Sequence, residues 1–115
     1  MNSTAGHDYA RQVLAMEVAV SDEALKKKER VLLELVADSG LLSDDEHNSE
    51  TRVALAELYQ AWHLFRDAQC EVNGYLHVYP ADSRLFSSEY NACRLRMNRK
   101  RIDYLDRLEN EIYDH

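Results

Sequence analysis

Apolar residues recur every three or four positions along most of the chain, a spacing that predicts amphipathic helices. The first such stretch runs from Asp8 to Asp38. Its apolar positions are Tyr9, Val13, Met16, Val20, Leu25, Val31, Leu32, Leu35 and Val36. Ser21 and Asp22 are residues that cap helices, so the stretch is either one long helix or two helices joined by a kink. Ser39 and Gly40 predict its end.

Two further helices are predicted by the same spacing. One runs from about Ser49 to Val72 and is strongly amphipathic, with the helical pattern Leu55, Leu58, Tyr59, Trp62, Phe65 and Gln69. Asn73 and Gly74 predict its end, and the segment that follows, to Phe86, contains the only proline, Pro80. Ser87 or Ser88 then caps a last helix. Its predicted buried stripe is Tyr90, Cys93, Met97, Tyr104, Leu105, Leu108 and Ile112.

The connections between these helices are one acidic loop and one aromatic loop. The acidic loop runs from about Asp38 to Glu50 and contains no Lys or Arg. Within it, Ser43 and Glu46 have the spacing of a capping box, which begins a helical turn. Only three glycines and one proline occur in 115 residues, fewer than an all-β chain needs for its turns. The fold class predicted is all-α: a small antiparallel bundle of three to four helices in a single domain, 1–115.

Charge and length exclude several classes of function. The chain carries 14 Lys+Arg and 21 Asp+Glu, a net charge of −7, which argues against binding nucleic acid through a basic surface and favours a cationic protein partner. No apolar run approaches the roughly 18 residues of a membrane span. Asp8, Arg11 and Glu17 interrupt the apolar core that a secretion signal needs. Either the protein is cytoplasmic, or its signal was removed and Met1 was added for expression.

The two cysteines flank the aromatic loop. Cys70 precedes the predicted 74–87 loop and Cys93 follows it. A disulfide between them would tie both ends of the loop and stabilise the fold by about 3 kcal/mol. Two buried free thiols are an equally good interpretation of the spacing. A redox-active pair is disfavoured because no CxxC motif occurs.

No catalytic, metal or cofactor motif occurs, and we expect a protein that is not an enzyme. The five histidines are scattered, and the one candidate pair is His63 with Asp67, which favours a structural role. A basic cluster lies in the last helix: Arg94, Arg96, Arg99, Lys100 and Arg101. We expect Asp103, Asp106 and Glu109 to pair with these side chains along the helix, in preference to a site for an anionic ligand.

Candidate partner-binding residues come from the two loops. In the aromatic loop they are Tyr75, His77, Tyr79 and Arg84, since Tyr and Arg are enriched at binding hot spots. The alternative is that the rings, with Phe86, cover the end of the bundle. In the acidic loop the candidates are Asp44, Asp45 and Glu46.

The block from Gln60 to Cys70 resembles the core of the LprI-like lysozyme-inhibitor family of bacterial envelope proteins. The matching features are Trp62, then Phe65-Arg66-Asp67, then Cys70. The block that begins at Cys93 and continues through Leu105 and Leu108 is similar to the family's second block, and Asp22 to Leu25 looks like its Asp-x-x-Leu helix start. The resemblance covers about 21–108.

This resemblance implies an exported helical protein with a Cys70–Cys93 disulfide. It also implies that Trp62 and Phe65 pack in the interior, and that Arg66 is buried against Asp67 or an acid on another helix. The function implied is inhibition of lysozyme or a similar peptidoglycan-degrading enzyme by cleft occlusion, in the periplasm or outside the cell. Two alternatives are an immunity or envelope-stress module that neutralises another secreted toxin, and a cytoplasmic helical adaptor with free thiols.

Overall fold

The protein is built from three long α-helices. The computed structural model describes residues 3–38, 45–78 and 83–113. Helix α1 spans Ser3–Asp38, α2 spans Asp45–His77 and α3 spans Ser83–Tyr113. Within these ranges there is no β-strand, and the predicted all-α bundle is confirmed with three helices.

The helices run up, down and up along one axis. Lys28 and Glu17 of α1 pair with Glu109 and Arg99 of α3, so these two helices are parallel, whereas α2 is antiparallel to both. The molecule measures 65 × 22 × 16 Å, and its radius of gyration is 18.2 Å. A compact domain of this length has a radius of about 13 Å. The bundle is therefore a rod with much of its helical surface exposed.

The hydrophobic core lies where all three helices meet. Its buried members are Leu25 and Leu32 of α1, Tyr59 of α2 and Leu105 of α3. Partly buried side chains pack around them: Leu33, Leu35, Leu55, Trp62, Ile102 and Leu108. Most of these residues belong to the apolar stripes predicted from the sequence.

Helix α1 is continuous, so of the two alternatives that the sequence left open the single long helix is correct, and Ser21 and Asp22 do not cap a second helix. Ser21 lies in mid-helix, where its Oγ donates to the carbonyl of Val18 at 2.8 Å. Ser21 and Asp22 face the other helices, and both bind side chains of α3. Their polarity therefore serves contacts between helices, and the Asp22 to Leu25 motif does not start a helix.

The buried face of α1 differs from the predicted stripe. Tyr9, Met16 and Val20 are about 70% exposed. The buried positions are Val18, Ser21, Leu25, Glu29, Leu32 and Val36. They keep the spacing of three and four but include a serine and a glutamate, which a pattern of apolar residues cannot place inside.

Helix α2 continues past the predicted stop at Asn73 and Gly74 to His77. The Val78 amide donates to the Gly74 carbonyl at 3.1 Å, which continues the helical hydrogen bonding. A Cβ at Gly74 would lie only 2.5 Å from Cε2 of Phe86 in α3. This glycine therefore allows two helices to approach closely, and its signal was misread as a helix end.

Both predicted loops are shorter than expected. Helix α2 begins at Asp45, inside the predicted acidic loop, and Ser43 of the predicted capping box lies outside the described residues. Helix α3 begins at Ser83, so Ser87 and Ser88 lie within the helix and do not cap it. Three predicted stripe residues, Leu58, Phe65 and Tyr104, are about half exposed. Phe65 therefore lies outside the core, whereas Trp62 is half-buried against it.

Candidate binding surface

A buried polar network surrounds Arg66 and joins all three helices. The Arg66 side chain is 4% exposed, and its Nη1 donates to Oδ1 of Asp22 and Oδ1 of Asn98, both at 2.9 Å. Its Nε donates to Asp67 at 2.9 Å. The fully buried Asn98 amide donates in turn to Asp22 at 2.7 Å and to Ser21 at 2.9 Å. The expected burial of Arg66 against acids is confirmed, and these groups connect all three helices.

Three of the five basic residues of the α3 cluster contact other helices, which corrects the prediction of pairs along α3. Arg94 binds Asp22 at 3.1 Å and Asp67 at 3.3 Å. Arg99 binds Glu17 at 3.1 Å. Arg101 lies over the ring of Trp62, 5.4 Å from its centroid.

Two of the three acids of α3 that were expected to pair with this cluster, Asp106 and Glu109, instead bind α1. Lys28 binds both Asp106 and Glu109, each at 2.7 Å. Hydrogen bonds to these two carboxylates raise the pKa of Lys28. The charged residues of α3 thus connect helices.

His63 forms an ion-pair contact that the sequence did not predict. Its Nε2 lies 3.0 Å from both carboxylate oxygens of Glu29 in α1, whereas Asp67, the predicted partner, binds arginines. Burial, with a smaller effect of Glu29, raises the pKa of the nearby Tyr59 hydroxyl to about 12. The described residues contain no group of side chains that could hold a metal ion.

The Cys70–Cys93 disulfide ties α2 to α3. The Cα atoms are 5.4 Å apart, and Sδ of Met97 lies 3.7 Å from Sγ of Cys70 and 4.0 Å from Sγ of Cys93. Of the two interpretations that the sequence left open, the disulfide is the correct one, and the described residues include no free cysteine.

The aromatic candidates lie at the end of the bundle that this disulfide closes. The rings of Tyr75 and Phe86 are 5.0 Å apart, and Phe86 stacks on Tyr90 at 6.1 Å. Phe86 covers Gly74, whereas Tyr75 and His77 are exposed near the end of α2. Tyr79 lies outside the described residues. Arg84 lies in the first turn of α3, where side chains are not described.

The acidic candidates lie at the opposite end. Asp45 and Glu46 are in the first turn of α2, and Asp44 lies outside the described residues. Helix α2 has 33 residues, which places its two ends about 48 Å apart. The two groups of candidates therefore do not form a common site.

A third surface, the outer face of α2, was missed by the sequence analysis. It carries six large apolar side chains, each at least half exposed: Leu58, Leu64, Phe65, Val72, Tyr75 and Leu76. The signal in the sequence is the seven-residue interval between Leu58, Phe65 and Val72. Leu58 and Phe65 were interpreted as part of one broad buried stripe, although α2 has only one face toward α1 and α3.

A shallow pocket lies beside this face, between α2 and α3. Its volume is about 220 Å³, and it is lined by Trp62, Met97, Lys100, Arg101 and Tyr104. Arg101 lies over both aromatic rings, at 5.4 Å from Trp62 and 5.0 Å from Tyr104. Trp and Arg with one exposed side are typical of protein interfaces.

Comparison with known proteins finds one match. The family model described as lysozyme inhibitor LprI matches residues 1–105 of the chain. Neither the curated proteins nor the solved structures give a match. No helix in the described ranges is long and apolar enough to cross a membrane.

Proposed function

Because the chain belongs to the LprI lysozyme-inhibitor family, we propose that it binds and inhibits a lysozyme or a similar cationic peptidoglycan-degrading enzyme. The observation that carries this proposal is the match of the family model over residues 1–105. The net charge of −7 supports it, because an acidic inhibitor is steered toward a basic enzyme. The inhibitor acts in the periplasm or outside the cell, where its disulfide persists.

The mode of inhibition that fits the bundle is occlusion of the enzyme's cleft by one end of the rod. The cross-section is 22 × 16 Å, and Tyr75 is exposed on a helix that the disulfide fixes to α3. A contact residue on a fixed helix loses little conformational entropy on binding. We favour this end over Asp45 and Glu46, because a single cleft does not reach both ends of α2.

The test is an inhibition assay on the oxidised protein. Micromolar protein is added to lysozymes of several types, and lysis of a peptidoglycan suspension is followed by turbidity. We expect at least one type to be inhibited, with an association rate that falls as salt rises. Full activity of every lysozyme at micromolar excess of the protein would refute the proposal.

Two variants then test which end of the rod contacts the enzyme. Asp44→Asn, Asp45→Asn and Glu46→Gln are combined in one protein, and Tyr75→Ala is made in another. We expect Tyr75→Ala to weaken inhibition by about tenfold or more, whereas the triple variant inhibits like the wild type. The opposite result would place the contact at the acidic end.

A further inference from the structure

The outer face of α2 has the pattern of a helix that packs against another surface. Leu58, Phe65 and Val72 repeat at intervals of seven, with Ala61 and Ala68 between them, and all five are exposed. Such a repeat forms a continuous apolar stripe along a helix. It continues through Tyr75 and Leu76 to the end that the disulfide closes.

Within the described ranges, the other helices of the chain do not cover this stripe. Helix α2 contributes a different face to the bundle, with Tyr59, Arg66 and Cys70 buried. Trp62 lies between the two faces, one helical turn from both Leu58 and Phe65. The exposed stripe and the half-buried tryptophan therefore form one apolar surface.

The exposed area is large enough for a specific interface. The accessible surface is 8041 Å², compared with about 6,500 Å² for a compact protein of 13.4 kDa. The six large apolar side chains of this face expose about 600 Å². Each partner in a standard-size interface buries about 800 Å².

The charges beside the stripe indicate what kind of partner it fits. Along α2 from Val53 to Leu76, all of which the structure describes, the exposed charged residues are Glu57 and Glu71, whereas Lys100 and Arg101 of α3 lie beside Trp62. The basic residues of this stretch, His63 and Arg66, are paired with Glu29 and with acids of the network. An apolar centre with an acidic border complements a basic protein surface. A second copy of the chain would carry the same net charge of −7 and so would be repelled as a whole.

We propose that the outer face of α2 is the surface on which a cationic protein partner docks, with Phe65 near its centre and Glu57 and Glu71 at its border. This inference rests on the proposed function and locates the contact of the inhibitor with its enzyme. Tyr75, at the end of the bundle, is then one end of a longer interface.

The experiment compares two matched pairs of substitutions in the full, oxidised chain. The test variant is Leu58→Ser with Phe65→Ser. The control is Met16→Ser with Val20→Ser, which removes two apolar side chains from α1 that are somewhat more exposed, 67% and 70% compared with 53% and 57%. Binding to the lysozyme type that the wild type inhibits is measured by calorimetry. We expect the test variant to raise Kd by about 30-fold or more and the control to change it less than about threefold.

A second comparison isolates charge and does not depend on the packing of α2. Glu57→Gln with Glu71→Gln is compared with Glu23→Gln with Glu34→Gln, which makes the same change of net charge on exposed positions of α1. We expect only the α2 variant to slow association several-fold at low salt, with the difference vanishing at high salt.

The outcomes separate the two proposals. If the wild type inhibits no lysozyme, the proposed function fails, and this inference fails with it. If the wild type inhibits and both α2 variants behave like their controls, only the inference is overturned. A wild-type dimer in light scattering that Leu58→Ser with Phe65→Ser makes monomeric would also overturn it, because the stripe would then bind a second copy.

Discussion

Substitution of Asp22 by Asn tests whether the network around Arg66 holds the three helices together. The two side chains have the same shape, but the amide has no charge and only one acceptor oxygen. In the wild type the carboxylate accepts hydrogen bonds from Arg66, Arg94 and Asn98 at 2.9, 3.1 and 2.7 Å. In the variant an NH₂ group faces some of these donors.

The expected loss follows from the burial of the partners. Removal of one member of a fully buried ion pair costs about 3–5 kcal/mol. Asp22 is 20% exposed, and Asp67 remains beside Arg66, so the loss is smaller. We expect about 2–3 kcal/mol, which for a chain of this length lowers Tm by about 10 °C.

The assay is urea unfolding of the oxidised protein, followed by helical circular dichroism and by the fluorescence of Trp62, the only tryptophan. The control is Glu17→Gln, which removes the ion pair between Glu17 and Arg99. The side chains of these two residues are 45% and 64% exposed, so we expect the substitution to lower the stability by less than about 0.5 kcal/mol. A loss for Asp22→Asn no larger than that of the control would refute the reasoning. Arg66→Met combined with Asp22→Asn should lose less than the sum of the single losses, since no buried charge is then left unpaired.

Two further substitutions test close packing and a buried hydroxyl. Gly74→Ala should destabilise the protein by about 1–3 kcal/mol in thermal unfolding, despite the better helix propensity of alanine, because the new Cβ would collide with Phe86. Adding Phe86→Leu should recover most of this loss. A Gly74→Ala variant that is more stable than the wild type would contradict the close contact between Gly74 and Phe86. Tyr59 has a raised pKa, so the native state keeps its proton longer than the unfolded state does, and stability falls as pH rises from 10 toward 12. Tyr59→Phe should therefore lose about 1 kcal/mol less than the wild type between pH 9 and pH 11 in urea unfolding, and equal losses would contradict the assignment. At neutral pH the same variant should be as stable as the wild type or slightly more so, since the Tyr59 hydroxyl has no hydrogen-bond partner among the described residues.

The periodicity of apolar residues predicted the helical segments, because a helix needs one apolar face wherever it packs. Leu25, Leu32, Tyr59 and Leu105 all lie in predicted stripes and form the core. The helix ends were predicted less well. Gly74 is both a common helix stop and a residue that allows close contact, and only the position of Phe86 in the folded chain decides between the two.

Polar residues explain why some buried positions were predicted to be exposed and some exposed positions were predicted to be buried. Ser21, Glu29 and Asn98 are buried because each finds a partner on another helix, and that partner is far away in sequence. A hydrophobicity pattern treats such positions as exposed. It also counts Phe65 and Val20 as buried, although both are more than half exposed among the residues that the structure describes.

The burial of Arg66 was predicted because a recognisable motif contains it, and the pattern of apolar residues alone gave no such indication. The motif did not identify the partners in α1 and α3. Asp22 was interpreted as a cap, yet it supplies the charge that Arg66 requires. The sequence contains the seven-residue repeat of the outer face of α2. Whether that face is buried or exposed depends on which faces of the three helices pack against one another.

The polar contacts between α1 and its neighbours also determine how far α1 can slide. Apolar side chains at intervals of three and four pack almost as well after a shift of seven residues, about 10 Å along the axis. Such a shift would put Glu29 at the level of Asp22, which preserves a negative charge there. It would also put Leu35 at the level of Lys28, which leaves Asp106 and Glu109 without their cation. Lys28, together with the other polar contacts of α1, thus favours one vertical alignment of the bundle.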